Sequence, residues 1–330
     1  MLSDLTTPNN ISNFNPRTFF ANIKTSNMSE NISKRPRVTK TTLEENVAEL
    51  GNNFLVLMPS STALKTAVEI MSHTLIDVTF KIERTSSTNR SDLCLRVDAV
   101  DSGSICACKV RIKCTGTVCD EQNDEFCIKL KPLLEILRAL PGNEGVQLYQ
   151  KKGVSDIELK TIGCESHHYK IHTLQDTYFN QALESCNTAF SVDFDLAKLK
   201  SHLRVVTNLK AETARIEIFK INSAAREEYN GKLILKLSCT GWLFFSSIET
   251  DGPGHVSFLA ENIEEYTTLS MYDEEYSTEY LKNFTKSMER SSVTISFNDE
   301  EPKVLVMEYS LGQEESSIIF LLAPKISDTQ

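Results

Sequence analysis

The chain has 330 residues, of which 40% are hydrophobic and 24% are charged, and its formal net charge at pH 7 is −10. This length suffices for two domains of ordinary size. No apolar run approaches the roughly 18 residues of a membrane helix, and the first residues lack the basic start and apolar core of a secretory signal. The sequence therefore predicts two globular units in a reducing compartment, where its nine cysteines are thiols.

Residues 1–52 are predicted to be a disordered tail, because they are rich in Asn, Ser and Thr and have few periodic apolar positions. The tail contains the basic cluster Lys34-Arg35-Pro36-Arg37. Such a cluster fits a nuclear import signal, and it also fits ordinary solvated charge or loose contacts with nucleic acid. We expect a nuclear protein.

From Phe54 onward the apolar pattern becomes regular. A strand, FLVLM, precedes a helix that Ser60 or Ser61 can cap, with an apolar stripe at Leu64, Val68, Met71 and Leu75. Strand-like alternation follows in IDVTFKIER, LCLRVDAV and SICACKVRIK. The segment FCIKLKPLLEILRAL is predicted to be a second helix with its stripe at Leu130, Leu133, Leu134 and Leu137. Three further strands are GVQLYQK, DIELKTI and HHYKIHTL.

The second half of the chain repeats this order of elements. The strand AFSVDF leads into the helix DLAKLKSHLRVVTN, and strands are predicted in ARIEIFKI, KLILKLS, WLFFSSIE and HVSFLA. After YTTLSMY come the helix YSTEYLKNFTKSM and the strands SSVTISF, PKVLVMEYS and SSIIFLLA. Either ARIEIFKI or KLILKLSC could be the strand directly after the third helix. An internal duplication of this length predicts two similar domains.

Positive charge is concentrated on the four predicted helices. Each helical region outside the first has a net positive charge although the whole chain is acidic. The cations recur at helical spacing away from the apolar stripes, in the pairs Lys131 and Arg138, Lys200 and Arg204, and Lys282 and Lys286. Such faces can follow phosphates without reading bases. They can also be ordinary solvated helix faces.

The residues that could carry chemistry do not form a convincing catalytic or metal site. Cys106 and Cys108 alternate with their neighbours as in a strand, unlike the paired knuckles of zinc sites. His167 and His168 are predicted to point to opposite faces of a strand. Asp98 and Asp101 could be proposed as a magnesium site, yet alternating Asp residues are more typical of a turn. We predict no enzyme, no cofactor and no metal.

The C-terminal segment YSTEYLKNFTKSMERSSVTISFNDEEPKVLVMEYSLGQEESSIIFLLAPKI closely resembles the C-terminal region of eukaryotic and archaeal sliding clamps of the proliferating cell nuclear antigen family. Its pieces occur in the clamp order, from the helix with Phe-Thr-Lys to the terminal Leu322-Ala323-Pro324-Lys325-Ile326. Fainter resemblance lies in ALKTAVEI, VDAVDSGS and LPGNEGVQL. The resemblance spans roughly residues 53–326.

The resemblance implies an α+β DNA-clamp fold, with clamp domains at 53–174 and 190–330 joined by a connector at 175–189. In this family three subunits close a ring in which helices line the central hole and sheets lie outside. It implies a processivity factor with double-stranded DNA, DNA polymerase, other proteins with the partner motif and a clamp loader as partners. The family's DNA-facing positions carry over at Lys65, Arg138, Arg204 and Lys286, and helix positions add Lys131, Lys198, Lys200 and Lys282.

Clamp partners dock a Gln-x-x-aliphatic-x-x-aromatic-aromatic segment into a pocket beneath the connector. The resemblance places its walls at Val100, Ile105, Leu183, Leu321, Ala323 and Pro324, where Val100 and Leu321 replace a usual Met and Tyr. A homotrimer is expected to close through the edge strand HHYKIHTL, with Tyr169 and Ile171 at the subunit interface. A subunit of a heterotrimeric checkpoint clamp and a divergent viral clamp are the alternatives.

Overall fold

The computed structural model describes residues 51–85, 89, 91–119, 125–140, 144–162, 167–175, 190–221, 233–239, 242–250, 256–257, 268–286, 292–297, 303–312 and 315–325. These ranges form two antiparallel sheets and four helices. Most of the predicted tail and all but the first residue of the predicted connector lie outside them. The helices in the described part of the chain lack the length and apolar character needed to cross a membrane.

The first half contains eight strands and two helices. In chain order they are β1 (Asn52–Met58), α1 (Thr62–Met71), β2 (Asp77–Arg84), β3 (Asp92–Val100), β4 (Cys106–Val118), β5 (Glu125–Lys129), α2 (Leu130–Ala139), β6 (Gly145–Lys151), β7 (Ile157–Ile162) and β8 (His168–Ile171). Ser61 is the N-cap residue of helix α1 and makes no side-chain capping hydrogen bond, whereas the hydroxyl oxygen of the preceding Ser60 accepts the Thr62 backbone N–H at 3.2 Å.

The second half repeats the order with one additional short strand. Its elements are β9 (Phe190–Asp195), α3 (Leu196–Asn208), β10 (Thr213–Ile221), β11 (Leu233–Cys239), β12 (Trp242–Thr250), β13 (Val256–Ser257), β14 (Thr268–Ser277), α4 (Thr278–Lys286), β15 (Ser292–Phe297), β16 (Leu305–Ser310) and β17 (Ser317–Leu322). The pairing repeats as well: β1–β6–β7–β8 corresponds to β9–β15–β16–β17, and β5–β2–β3–β4 corresponds to β14–β10–β11–β12. The predicted duplication is confirmed.

One sheet joins the two halves. Its strand order is β8-β7-β6-β1-β4-β17-β16-β15-β9, with β3, β2 and β5 continuing from β4. The long strand β4 makes the junction, because its beginning pairs with β17 and its end pairs with β1. At that end Gly116 lies so close to β1 that a Cβ atom would be 1.9 Å from the Leu55 carbonyl oxygen, and only glycine fits.

The core lies between the helices and the sheets. In the first half the rings of Phe54 and Phe80 each stack on Phe126 at 5.4 Å between centroids. In the second half the ring of Phe284 stacks on Phe320 at 4.2 Å, and both side chains are fully buried. Truncating such a ring to Ala costs about 3–5 kcal/mol. The Phe284–Phe320 pair therefore fixes helix α4 on strand β17, whereas the three stacked rings of the first half join strands β1, β2 and β5.

The four helices lie side by side. Helix α1 contacts α2, α3 contacts α4, and α1 contacts α4 across the two halves, which gives the order α2, α1, α4, α3. The side-chain amide of Asn283 in α4 donates to the carbonyl oxygen of His73, just after α1, at 3.4 Å. The helices thus form one continuous layer, and this layer carries most of the predicted DNA-facing residues.

One predicted boundary differs from the structure, and one open alternative is decided by it. The segment FCIK was predicted to be helical, but it is strand β5, which pairs with β2 from Asp77↔Lys129 to Lys81↔Glu125. This pairing uses the β-branched and aromatic side chains of the segment and overrides its helix-like spacing. The alternatives for 212–241 are decided: ARIEIFKI lies in β10 directly after α3, and β11 pairs with it.

Candidate functional site

The layer of helices presents a basic surface opposite its buried face. We define the basic surface as the cationic side chains on α1–α4 that point away from the core. Lys131, Arg138, Arg204, Lys282 and Lys286 are exposed, and Lys65 and Lys200 are half-buried. The side chain of Lys198 lies outside the described part. The leucines predicted as stripes, such as Leu133 and Leu203, are buried. This arrangement gives every helix one apolar and one polar face.

Two cations, from helices α2 and α4, lie near His73, which the sequence analysis did not single out. Burial lowers the pKa of His73 below 6.5, and the nearby charges of Lys286 in α4 and Arg138 in α2 lower it further. The Glu69 carboxylate in α1 acts in the opposite direction. Two cations that are far apart in the sequence therefore share one region of the basic surface. No sequence pattern joins them, because the layer order α2, α1, α4 brings them together.

Arg138 is held by an acidic neighbour. Its guanidinium contacts the Glu69 carboxylate at 2.5 Å across the contact between α1 and α2. Both side chains reach solvent, with 53% of the Arg138 side chain and 27% of the Glu69 side chain exposed. An anion that approaches Arg138 must compete with Glu69, so the basic surface has an internal acid that weakens its field there.

A second apolar cluster lies apart from the main core, at the junction of the two halves. Its buried members are Ala107, Val304, Leu321 and Ala323, and half-buried Val100, Val306 and Ile319 pack against them. Three residues of the predicted partner pocket, Val100, Leu321 and Ala323, therefore lie together. We call this cluster, with exposed Ile105 and half-buried Pro324, the junction patch. Leu183, the remaining predicted wall, lies outside the described residues.

The sequence analysis missed four members of the junction patch. They are Ala107, Val304, Val306 and Ile319. The signal for two of them was present: β16 alternates Leu305, Met307 and Tyr309 toward the core, and the intervening residues in KVLVM are apolar too. A strand that is apolar on both faces is covered on both faces. That pattern could have placed Val304 and Val306 in the patch.

The loop between β3 and β4 is organised by one buried carboxylate. Asp101 is 6% exposed. Its Oδ1 accepts the backbone N–H groups of Ile105 at 2.8 Å and Cys106 at 2.7 Å, and its Oδ2 accepts the N–H of Gly103 at 3.2 Å. The hydroxyl of Tyr280 in α4 donates to Oδ2 at 2.5 Å. Asp101 therefore fixes the loop that carries Ile105.

The residues considered for metal binding have other partners. Asp98 pairs with the Arg96 guanidinium, and Asp101 accepts the four hydrogen bonds described above. Cys106 and Cys108 are buried in β4, and burial raises the pKa of both thiols well above 9.0. In the ranges the structure describes, no group of three or more His, Cys, Asp or Glu side chains is placed to hold a metal ion.

Strand β8 is an edge of the junction-spanning sheet. It pairs with β7, and within the described ranges no strand covers its other side. Tyr169 is half-buried, whereas Ile171 is 4% exposed and belongs to the main core. The Ile171 side chain therefore packs inside its own domain. Tyr169 points to the same face, because residues two apart on a strand share a face. What β8 offers at its free edge is backbone donors and acceptors.

The outward face beside this edge is a hydrogen-bonded polar cluster. Glu158 accepts from Lys151 Nζ at 2.8 Å and from the Tyr149 hydroxyl, and it lies 2.7 Å from His168 Nε2. These bonds, that from Lys151 first, lower the pKa of Glu158 to about 2. Next to it, Asp156 pairs with Lys170 at 2.8 Å. The cluster ties β6, β7 and β8 together at the sheet edge.

Comparison with known proteins identifies solved structures that share this architecture. No protein-family model and no curated protein matches the sequence. Solved structures do match. The proliferating cellular nuclear antigen of Entamoeba histolytica is 15% identical, with a TM-score of 0.60 over 83% of this chain and 100% of that chain. The PCNA2–PCNA3 complex of Sulfolobus tokodaii contains a chain that is 14% identical, with a TM-score of 0.56 over 82% of this chain and 99% of the other.

At such identities the likeness concerns the fold alone. It extends over the whole length of the clamp chains, and it agrees with the duplicated strand order and with the layer of four helices. This chain has the DNA-clamp fold.

Proposed function

We propose that this chain is a DNA sliding clamp, a non-enzymatic processivity factor that encircles duplex DNA and tethers a DNA polymerase and other partners to it. The observation that carries the proposal is the continuous layer α2, α1, α4, α3 with exposed cations on its outer side, in a chain whose net charge is −10. A positive surface on an acidic protein attracts phosphates in one place and repels them elsewhere. Contacts to phosphates alone have no base specificity.

Ring closure is supported by the internal duplication. Within the chain, the last strand of the second half, β17, pairs with β4 of the first half. The equivalent of β17 in the first half is β8, and the equivalent of β4 in the second half is β12. The same contact between successive copies would pair β8 of one protomer with β12 of the next. Repetition of this head-to-tail contact gives a ring when the rotation closes, and we propose a homotrimer.

The register of this interface follows from matching pairs. Tyr169 lies opposite Leu159, the third residue of β7, and Phe320 lies opposite Met307, the third residue of β16, so His168 corresponds to Ile319. In β12, Ser246 lies opposite Leu237 of β11, and in β4, Val110 lies opposite Val97 of β3. These two pairs are equivalent in the duplication, so Phe245, one residue before Ser246, corresponds to Lys109. Ile319 pairs with Lys109 within the chain. His168 of one protomer is therefore expected to lie opposite Phe245 of the next.

A cross-link tests this register. The double variant His168→Cys/Phe245→Cys is expected to form disulfide-linked trimers under mild oxidation, because directly opposed strand residues have Cβ atoms about 4.5–5.5 Å apart. The matched control His168→Cys/Trp242→Cys places the second thiol three residues along β12, beyond that reach. Single variants control for exposed Cys119. Equal cross-linking of both pairs, or a stable monomer in light scattering at micromolar concentration, would refute the proposed interface.

Encirclement of DNA is tested by its topology. The protein is incubated with a linear duplex that is biotinylated at both ends, and streptavidin is added either before or after the protein. A ring threads over free ends and is trapped when the ends are blocked afterwards, so trapped protein should resist high salt. Blocking the ends first should prevent trapping. Salt-sensitive binding that is the same in both orders would show ordinary electrostatic association and would contradict the proposal.

The junction patch is proposed to bind the aliphatic and aromatic side chains of the partner motif. The double variant Ala323→Asp/Pro324→Asp places two charges in this apolar surface and is expected to abolish binding of a synthetic Gln-x-x-Leu-x-x-Phe-Phe peptide in calorimetry. Asp substitutions at exposed Thr115 and Lys160, outside the patch, serve as a matched control. Equal affinities for the wild type and the patch variant would remove the site assignment.

A second arrangement is a ring of unlike subunits, as in a checkpoint-type clamp. The observation that favours it is that one of the similar structures is a complex of two different clamps. Light scattering of the purified chain separates the alternatives, because a homotrimer has three times the mass of the chain and a dedicated hetero-subunit remains smaller. The proposed nuclear location is tested by replacing Lys34, Arg35 and Arg37 with Ala in a fluorescent fusion.

A further inference from the structure

One hydrogen bond connects the basic surface to the junction patch. The Tyr280 hydroxyl, on the second-half helix α4, donates to Asp101 in the β3–β4 loop of the first half. The same helix carries exposed Lys282 and Lys286 on the basic surface. The same loop carries Ile105 of the junction patch. A single side-chain contact therefore spans the two surfaces that the proposed function uses.

The Asp101 carboxylate is held in one position, because it is buried and accepts four hydrogen bonds. Two of the donors, Gly103 and Ile105, belong to the loop itself, the third is Cys106 at the start of β4, and the fourth is Tyr280. Burial and the Asp101 charge raise the pKa of the Tyr280 hydroxyl, which remains a protonated donor at neutral pH. Loss of one donor to a buried charge leaves that charge less well compensated and weakens the remaining arrangement.

The loop in turn determines the shape of the junction patch. The Ile105 carbonyl oxygen accepts the backbone N–H of Ala323 at 2.9 Å, which joins the loop to the C-terminal part of the patch. Ser104 has a positive φ of 56°, a strained backbone conformation for a residue with a side chain. Such a conformation persists only when its surroundings impose it, and the hydrogen bonds to Asp101 supply that constraint.

The duplicated half lacks this device. The corresponding hairpin between β11 and β12 has only two intervening residues, compared with five between β3 and β4. The helix position that corresponds to Tyr280, the third residue of α4, is Pro132 in α2, which has no hydroxyl. The fold itself therefore does not require the contact. Among the described residues it occurs where the apolar junction patch lies.

We propose that Tyr280 and Asp101 are positioning residues for partner binding, through which helix α4 holds the loop 101–105 in the conformation that completes the junction patch. The proposal rests on the proposed function of the patch. The residues do not contact the partner; they act by fixing Ile105 and its hydrogen bond to Ala323.

The test uses the full chain and the variant Tyr280→Phe, which keeps the ring and removes the hydroxyl. Amide hydrogen exchange at Ile105 and Cys106 should accelerate by about tenfold, because a hydrogen bond to a charged group has that order of effect. Calorimetry with the synthetic Gln-x-x-Leu-x-x-Phe-Phe peptide should show weaker binding by about three- to tenfold. Asp101→Asn, which replaces an acceptor by a donor, should have the larger effect on both measurements.

Tyr309→Phe is the matched control. It removes a hydroxyl from another buried tyrosine of the second half, and that hydroxyl has no hydrogen-bond partner among the described residues. It should leave exchange at Ile105 and Cys106 and peptide affinity unchanged. Thermal unfolding of all variants separates a local change from general destabilisation.

The outcomes are distinct. Unchanged exchange in Tyr280→Phe overturns the proposal, and so does faster exchange with wild-type peptide affinity. Faster exchange with weaker binding, absent in Tyr309→Phe, supports it. If the wild-type chain does not bind the peptide, the proposed partner function fails, and the positioning proposal fails with it even if the exchange rates show that Tyr280 orders the loop.

Discussion

Replacing Glu69 by Gln is expected to strengthen duplex binding by the basic surface. The substitution removes a carboxylate from α1 and releases the Arg138 guanidinium from its ion pair. Both groups are solvent-exposed, so the ion pair itself contributes little to stability, about 0–1 kcal/mol, and the fold should tolerate its loss. The affinity of the basic surface for phosphate should rise, because Arg138 no longer has a competing intramolecular anion.

The magnitude follows from the charge removed. A carboxylate about 6 Å from a phosphate in a medium of dielectric constant about 80 costs about 0.7 kcal/mol. Its neutralisation should therefore lower the dissociation constant about threefold for each protomer that contacts the duplex. If Arg138 then makes one additional phosphate contact, the slope of log K against log salt concentration should steepen by about 0.9.

Fluorescence anisotropy with a short labelled duplex, titrated at several salt concentrations, measures both quantities. Glu125→Gln is the matched control, because it makes the same change in net charge on β5, where Glu125 pairs with Lys81 at 3.0 Å. Tighter binding by both variants would indicate a general effect of net charge. Unchanged affinity and slope in Glu69→Gln would refute the reasoning that Glu69 opposes DNA on this surface.

Three further predictions concern single side chains. Tyr309→Phe should stabilise the chain by about 1 kcal/mol in denaturant unfolding, since the lost hydroxyl is buried without a partner in the described ranges; destabilisation would show a hydrogen bond there. Lys286→Ala should raise the pKa of His73, followed by NMR titration, because Lys286 lowers it; an unchanged value would separate the two residues in solution. Glu158→Gln should cost about 1 kcal/mol at pH 7, allowing for the half-exposed Lys151 and His168. Because the folded pKa of Glu158 is lowered to about 2 from 4.5, this contribution should be present above pH 4.5 and lost as the pH falls toward 2; a cost that persists at pH 2 would contradict the ionic origin.

The general architecture could be predicted from the sequence because two independent patterns agreed. Hydrophobic periodicity gave the elements, and their repeated order gave the duplication, which the strand pairing confirms. The error at FCIK shows where periodicity fails. Its apolar residues run on into LKPLLEIL with helical spacing, and only the partner strand β2, about fifty positions earlier, makes β5 a strand. Long-range pairing of this kind is absent from a local window.

The site residues were predictable to a different degree. Alternation could have shown that Ile171 faces the core, since residues two apart on a strand share a face and His168 and Lys170 are exposed. In contrast, the pairing of Glu69 with Arg138 and of Tyr280 with Asp101 joins residues that are 69 and 179 positions apart. The Glu69–Arg138 contact exists because α1 packs against α2. The Tyr280–Asp101 contact exists because the two halves meet at β4 and β17. Only the assembled fold reveals them.

The two halves have one topology but unequal chemistry, and this inequality assigns their roles. Shared features, such as the amphipathic helices and the equivalent strands β8 and β17 that end each run of four, repeat because both halves contribute to the same layer and the same chain of pairings. Features that break the repeat cannot be required by the fold. The five-residue loop after β3, the buried carboxylate of Asp101 and the apolar second face of β16 each occur once in the described part of the chain, and all lie at the junction. Repeated features are thus consistent with the proposed DNA-facing surface, to which both halves contribute, whereas the unrepeated ones are consistent with one proposed partner site for each chain.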